Sequence, residues 1–201
     1  MKRLLARLRR PDYLGELQTL LFVALGAAAV VAVVNVWAMV ARDPISVVAG
    51  AGVAVPPDAV TGLRPGVRLD PDTELHVLVD HPSVAQVGWH AAQSLPWFAI
   101  VVFALVMLLL VVRAARRGDP FAAANVRRLR AVGWVVLLGS LAAFEIELLA
   151  GFQLSATVVA EPPSTGADVP LVWCLCGAGF LALAEIIQRG RALQAELAEV
   201  I

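Results

Sequence analysis

Two glutamates inside an otherwise apolar run are the residues of this sequence most able to do chemistry. Glu145 and Glu147 lie within 131–152, and a charged side chain in such a run is a functional hypothesis because it is costly to bury. Their i,i+2 spacing turns them ~200° apart on a helix, so they cannot form one carboxylate pair. We expect one of them to face other helices, with Asn35 or a hydroxyl as its partner. A structural role is the favoured interpretation, and proton or cation handling and contact with a partner protein remain alternatives.

A second charged group is expected where the fourth apolar run ends. Glu185 and Arg189 lie there, and Arg128 and Arg130 are expected at the same level. We predict an ion pair that ties the fourth helix to the 119–130 segment. A conformational switch at this junction is the sharper alternative.

The start of the 119–130 segment has the residues of a helix N-terminus. Asp119 can cap the helix and Pro120 suits its first position, where a missing N–H costs nothing. The residues that follow are polar or basic at four positions: Asn125, Arg127, Arg128 and Arg130. We predict that the segment is a short interfacial helix whose arginines lie at the height of the lipid phosphates.

Other groups of residues in the sequence give little evidence of a catalytic or metal-binding activity. The three histidines, His76, His81 and His90, lack the cysteines or dense acidic cluster that would complete a metal site, and we interpret them as surface residues. The sequence offers no catalytic constellation, phosphate-cradling glycine loop or cofactor motif. We therefore predict no catalytic residue, cofactor or metal, and a non-enzymatic protein.

These residues are positioned by four long apolar runs. Each is near the ~20 residues that an α-helix needs to cross a bilayer, and the mean hydropathy of the chain is +0.80. The predicted fold is therefore all-α integral membrane, a four-helix transmembrane bundle with a small β-rich extracytoplasmic insertion between helices 1 and 2. The predicted spans are 18–40, 95–112, 131–152 and 169–187.

The distribution of arginine and lysine predicts which segments are cytoplasmic. Residues 1–10 hold five basic side chains and 113–130 hold six, whereas 153–168 hold none. The positive-inside rule then places both chain termini in the cytoplasm. The cytoplasmic segments are the basic N-terminal segment 1–17, the loop 113–130 with its interfacial helix, and the amphipathic tail 188–201; the extracytoplasmic ones are 41–94 and the short loop 153–168.

The 41–94 segment is predicted to contain short β-strands joined by turns. Strand-like runs are expected at 45–48, 52–55, 67–69 and 75–79, with proline- and aspartate-rich turns between them. Pro96 is expected in the first turn of the second transmembrane helix.

Two motifs resemble those of a known bacterial membrane family. They are Gly118-Asp119-Pro120-Phe121 followed by Asn125, Arg127-Arg128-Leu129-Arg130 and Gly133, and Leu183-Ala184-Glu185-Ile186-Ile187 followed by Arg189, Gly190 and Leu193. With four spans and a β-rich first exterior loop, the chain resembles the family catalogued as domain of unknown function 2975. The resemblance implies the architecture, and a location in the bacterial cytoplasmic membrane. Members are often encoded beside a small helix-turn-helix regulator, which implies a partner in gene control.

The favoured function is a sensor or regulatory partner whose cytoplasmic surface contacts another protein. The arginine-rich segments are expected to contact anionic lipid of the inner leaflet, and no direct contact with nucleic acid is expected. One alternative is a transporter or channel-like component that uses Glu145 and Glu147, and another is an accessory subunit of a larger membrane complex.

Overall fold

The computed structural model describes residues 13–48, 76–118, 122–158 and 169–200, with side chains described up to Leu193. These residues form four long helices and two short strands. In chain order the elements are α1 (Tyr13–Ala41), β1 (Ile45–Val48), β2 (His76–Val79), α2 (Val84–Arg116), α3 (Ala123–Ala156) and α4 (Leu171–Val200).

All four helices are long and apolar enough to cross a membrane. The most apolar 18-residue windows have mean hydropathies of 2.4 in α1, 3.0 in α2, 1.9 in α3 and 1.8 in α4. Much of this apolar surface is exposed: Val33 of α1 is 69% exposed and Val172 of α4 is 72% exposed. Such a surface suits lipid contact, because hydrocarbon and exposed valine have similar polarity.

The second helix begins earlier than the hydropathy of the chain indicated. Ser83 and Gln86 form a capping box: the backbone N–H of Ser83 donates to the Gln86 side chain at 2.8 Å, and the backbone N–H of Gln86 donates to Ser83 Oγ at 3.3 Å. The helix therefore starts at Val84, and residues 84–94 of the predicted loop are helical. The prediction that Pro96 lies in the first turn is wrong, since Pro96 is inside the helix. There it leaves the carbonyl of Ala92 without the usual intrahelical donor.

Two helix ends have a residue of left-handed backbone. Arg42 follows α1 with φ 54°, and the N–H of Asp43 donates to the carbonyl of Ala38 at 3.1 Å. Gly118 follows α2 with φ 94°, a conformation that glycine adopts without a steric penalty. These turns stop α1 and α2.

By its contacts the chain divides into two compact units, and the first comprises the described parts of Met1–Val33, Phe98–Leu141 and Pro170–Ile201. Within this unit, α1 contacts α2, α2 contacts α3, and α3 contacts α4. Leu21 of α1 packs against Leu109 and Val112 of α2. A second core cluster joins α3 to α4, where Val126 and Leu129 pack against Ala184.

The second unit comprises the described parts of Val34–Trp97 and Ala142–Val169. Its two strands pair antiparallel, with Ile45 opposite Val79 and Val48 opposite His76. Ile45 and Val47 are buried against Leu154 at the end of α3. The strand prediction is confirmed for 45–48 and for 76–79 of the run 75–79. Leu75 and the runs 52–55 and 67–69 lie outside the described residues.

Candidate functional site

The clearest group of interacting charges lies between α3 and α4. Arg130 Nη2 is 3.2 Å from Glu185 Oε2, and Arg189 Nε is 3.1 Å from Glu185 Oε1. Arg130 also donates to the side-chain oxygen of Gln188. We name these four residues, Arg130, Glu185, Gln188 and Arg189, the ionic junction. The ion pair expected between Glu185 and the 119–130 segment is therefore present, and its partner there is Arg130.

The ionic junction is open to its surroundings. The side chains of Arg130 and Glu185 are 44% and 46% exposed, and that of Arg189 is 77% exposed. Exposed pairs of this kind contribute little to stability, because solvent screens the charges and the long side chains lose rotamer freedom. The charges are thus available to exchange with those of another molecule.

Arg128 has a different role from its neighbour Arg130. Its Nη1 donates to Asn125 Oδ1 at 3.1 Å and to the carbonyl of Leu110 in α2 at 3.4 Å. Asn125 is fully buried, so its amide oxygen holds the Arg128 side chain from a fixed position. Of the two arginines expected at the level of Glu185, Arg128 contacts α2 and Arg130 contacts α4. One turn of α3 therefore contacts both neighbouring helices.

Two glycines bring α3 and α4 close together next to the ionic junction. A Cβ built at Gly177 would lie 2.7 Å from the backbone nitrogen of Leu137 and 2.9 Å from the carbonyl oxygen of Gly133. A Cβ built at Gly133 would lie 2.7 Å from the Leu181 side chain. Such close backbone approach is typical of packed membrane helices that use small residues. Further along this contact, the buried Ser140 hydroxyl lies 3.8 Å from Cys174 Sγ.

The two glutamates of α3 have different surroundings in the second unit. Trp97 of α2 donates its indole N–H to Glu147 Oε2 at 2.7 Å. Glu145 is exposed, and among the described residues it has no hydrogen-bond or ion-pair partner. The structure thus separates the carboxylates, as the i,i+2 spacing predicted, and Trp97 is a partner that the sequence did not indicate. Tryptophans are common near the ends of membrane spans, a position in which the indole N–H can also make a hydrogen bond.

Asp119 lies outside the described residues, so its capping role stays a prediction. Ala122 precedes α3, and its carbonyl accepts from the backbone N–H of Asn125 at 2.9 Å.

Within the described residues there is no group of three or more His, Cys, Asp or Glu side chains able to hold a metal ion. His76 Nδ1 instead lies 3.3 Å from the Ser46 hydroxyl across the strand pair.

Sequence reasoning missed Gln188 and Gly177 as parts of the α3–α4 contact. Gln188 is three residues from Glu185, a spacing that places both on one helix face and could have indicated a shared partner. For Gly177 no comparable signal exists, because small residues are common throughout the apolar runs.

Comparisons with known proteins support the family-level resemblance. A family model described as "Protein of unknown function (DUF2975)" matches residues 73–201, which is more than half of the chain. This match includes Arg130 and Glu185 of the ionic junction, and also Trp97 and Glu147. Comparisons with curated proteins and with solved structures found no significant similarity.

Proposed function

The chain belongs to the DUF2975 family, and from this premise we propose that it is a multi-pass membrane protein of regulatory type. It has no catalytic role in this proposal, and it acts by binding a protein partner at the surface formed by the ionic junction. Arg130, Gln188 and Arg189 of this surface lie in segments that the positive-inside rule assigns to the cytoplasm, and Glu185 lies at the adjoining end of the fourth span. The membrane is then the bacterial cytoplasmic membrane, as the resemblance implies.

The observation that carries the proposal is the exposure of a paired charge cluster at a tight helix–helix contact. Glu185 holds two arginines, one from α3 and one from its own helix, while both side chains of the interhelical pair remain accessible. A partner that offers a carboxylate or a guanidinium can exchange with one member of the cluster at little cost, because exposed ion pairs are weak.

A mechanism for regulation follows from the way in which α3 contacts its neighbours. Arg128 binds the α2 backbone and Arg130 binds α4, so a small rotation of α3 changes both contacts. The close approach at Gly133 and Gly177 links such a rotation to α4, because packed helices shift between discrete arrangements rather than deform continuously. A signal that alters helix packing would thereby change the charges that the partner meets.

The surroundings of the two glutamates favour this proposal over a transporter. Glu147 is held by Trp97, which suits a carboxylate that positions helices. Residues 100–112 of α2 include no polar side chain, so they offer no polar step for an ion along that helix. Transport requires at least one carboxylate that water can reach and that titrates during the cycle.

The partner surface can be tested by purification of the tagged chain from native membranes in mild detergent. We expect a protein that co-purifies with the wild type and with Arg127→Gln, and is depleted by Arg130→Gln and by Glu185→Gln. Arg127 is the matched control, because it is an exposed arginine of α3 outside the ionic junction. Equal recovery of the partner with all three variants would contradict a binding role for the ionic junction.

A flux assay in proteoliposomes separates the regulator from the transporter. We expect proton and cation flux at the level of empty vesicles for the wild type, for Glu145→Gln and for Glu147→Gln. A wild-type flux above that level, eliminated by either substitution, would replace the regulatory proposal with a transport function.

A further inference from the structure

One exposed face of α3 is apolar except for a single carboxylate. Glu145, Leu149 and Phe152 have i, i+4 and i+7 spacing, which places them on one side of the helix. Leu149 is 57% exposed and Phe152 is 47% exposed, and Glu145 is exposed as well. All three belong to the second compact unit. We name these three residues the Glu145 stripe.

Glu145 differs from Glu147 in the partners of its carboxylate. The indole N–H of Trp97 donates to Glu147 Oε2 at 2.7 Å. Glu145 makes no hydrogen bond or ion pair with any residue that the structure describes. A charged side chain within a membrane span is costly, and such residues therefore pair with other polar groups. We conclude that the Glu145 stripe needs a cation from another molecule.

The depth of Glu145 argues against a lipid headgroup as the source of this cation. In the predicted span 131–152, Glu145 lies seven residues before the nearer end, which is a helix rise of about 10 Å. Lysine and arginine reach the headgroups from within a span by means of their long side chains. The glutamate side chain is shorter, so its carboxylate stays below the headgroups.

A second copy of the chain does not offer the cation either. The four predicted spans contain no lysine, arginine or histidine: 18–40, 95–112, 131–152 and 169–187. A two-fold contact also brings the same face of both copies together. Two Glu145 carboxylates would then lie near each other, and their like charges repel.

We propose that the Glu145 stripe docks one transmembrane helix of a different membrane protein, and that this helix carries a lysine or arginine within its span. The cation pairs with Glu145, and apolar side chains of the same helix pack on Leu149 and Phe152. Opposite charges within a membrane pair with one another because no water is present to solvate either of them. The inference goes beyond the proposed regulatory role and rests only on its membrane placement.

A photo-reactive amino acid in place of Leu149, activated in intact cells that express the full chain, tests the docking. We expect a cross-link to a membrane protein that has a lysine or arginine within one of its spans. Glu145→Gln should lose this cross-link, and Glu145→Asp should keep it because aspartate retains the charge. A photo-reactive residue at Val172 is the control: Val172 is 72% exposed on α4, outside the Glu145 stripe, and should not give this product.

A synthetic single-span peptide measures the charge pairing without the natural partner. The probe is a leucine-rich helix with one lysine seven residues from an end of its span, and its binding to the full chain in proteoliposomes is followed by fluorescence energy transfer. It should bind the wild type about tenfold more tightly than the same peptide with leucine at that position, the ratio that one polar contact between membrane helices gives. With Glu145→Gln the two peptides should bind equally.

Several outcomes would overturn the proposal. Cross-links from position 149 to lipid alone, to a second copy of this chain, or to a protein without a basic residue in its spans would each do so. Equal binding of the two peptides by the wild type would do so as well. No residue of the ionic junction takes part in these measurements, so their failure is distinct from a failure of the regulatory role.

Discussion

The side chains of Arg128 and Arg130 point in different directions, and so they contact different helices. They are two residues apart on α3, so they point to different sides of the helix. The sequence placed both near Glu185, because both were expected at the same depth. The structure directs only Arg130 to Glu185, and the buried Asn125 holds Arg128 toward the α2 backbone.

Glu147 likewise has a partner that the sequence did not predict. Its position in an apolar run indicated that it needs a partner, and the structure provides the Trp97 indole. A tryptophan near a helix end has an interfacial role as its usual explanation. Nothing in the spacing of Trp97 and Glu147, which are 50 residues apart, indicates that they meet.

Trp97→Phe should destabilise the protein by about 0.6 kcal/mol, the average contribution of a hydrogen bond between membrane helices, and by at most about 1.7 kcal/mol. The ring is largely kept and the N–H donor is lost, so Glu147 loses this partner. Unfolding in detergent micelles, followed by circular dichroism, measures the change. Trp134→Phe is the control, because Trp134 is 52% exposed. An equal loss in both variants would show that ring size, and not the hydrogen bond, matters.

Among the helices, α2 begins well before its sequence-based start. Hydropathy detects the part of a helix that can contact lipid, so it predicted 95–112, whereas α2 extends from Val84 to Arg116. The Ser83 and Gln86 capping box marks the true start and is visible in the sequence as Ser-x-x-Gln. The extension carries Trp89, which packs in the core of the second unit against the strand pair.

The contact between α3 and α4 depends on glycine at one position in particular. Gly177→Ala should cost about 1–3 kcal/mol, the usual range for overpacking, since its Cβ would meet the backbone of Leu137. Gly179→Ala on the same helix should be neutral or slightly stabilising, because a Cβ there would meet nothing within 4 Å. Unfolding of the two variants in one detergent measures the difference.

Gly133→Ala should fall between these two variants. Its Cβ would meet the Leu181 side chain, which can move more easily than backbone atoms. If all three alanine variants unfolded alike, the close approach of α3 and α4 would not be the source of their stability.

The topology of the whole chain is predicted by its charge distribution. Reporter fusions after Arg10, Arg117 and Ile201 should report the cytoplasm, and a fusion within 60–85 should report the exterior. The physical reason is that basic residues next to a span resist translocation, and 1–10 and 113–130 together carry eleven of them. A paired phosphatase and fluorescent-protein reporter at each site provides an internal control. A cytoplasmic signal from residue 70 would contradict this topology.

The sequence by itself determined the number of helices, the strands 45–48 and 76–79, and the family of the chain. Four apolar runs near the length of a membrane span leave few other structures, because backbone groups in hydrocarbon must be satisfied within a helix. Short runs rich in β-branched residues, beside turn residues, indicated the strands.

Only the tertiary structure decided which side chains meet: Trp97 with Glu147, Arg128 with the α2 backbone, and Gly177 with Leu137. These contacts depend on the rotation and register of each helix, and each residue turns a helix by ~100°. Helices that are apolar on every side carry no periodic pattern to fix that rotation. The rotation is set by packing between helices, which no single segment of the sequence contains.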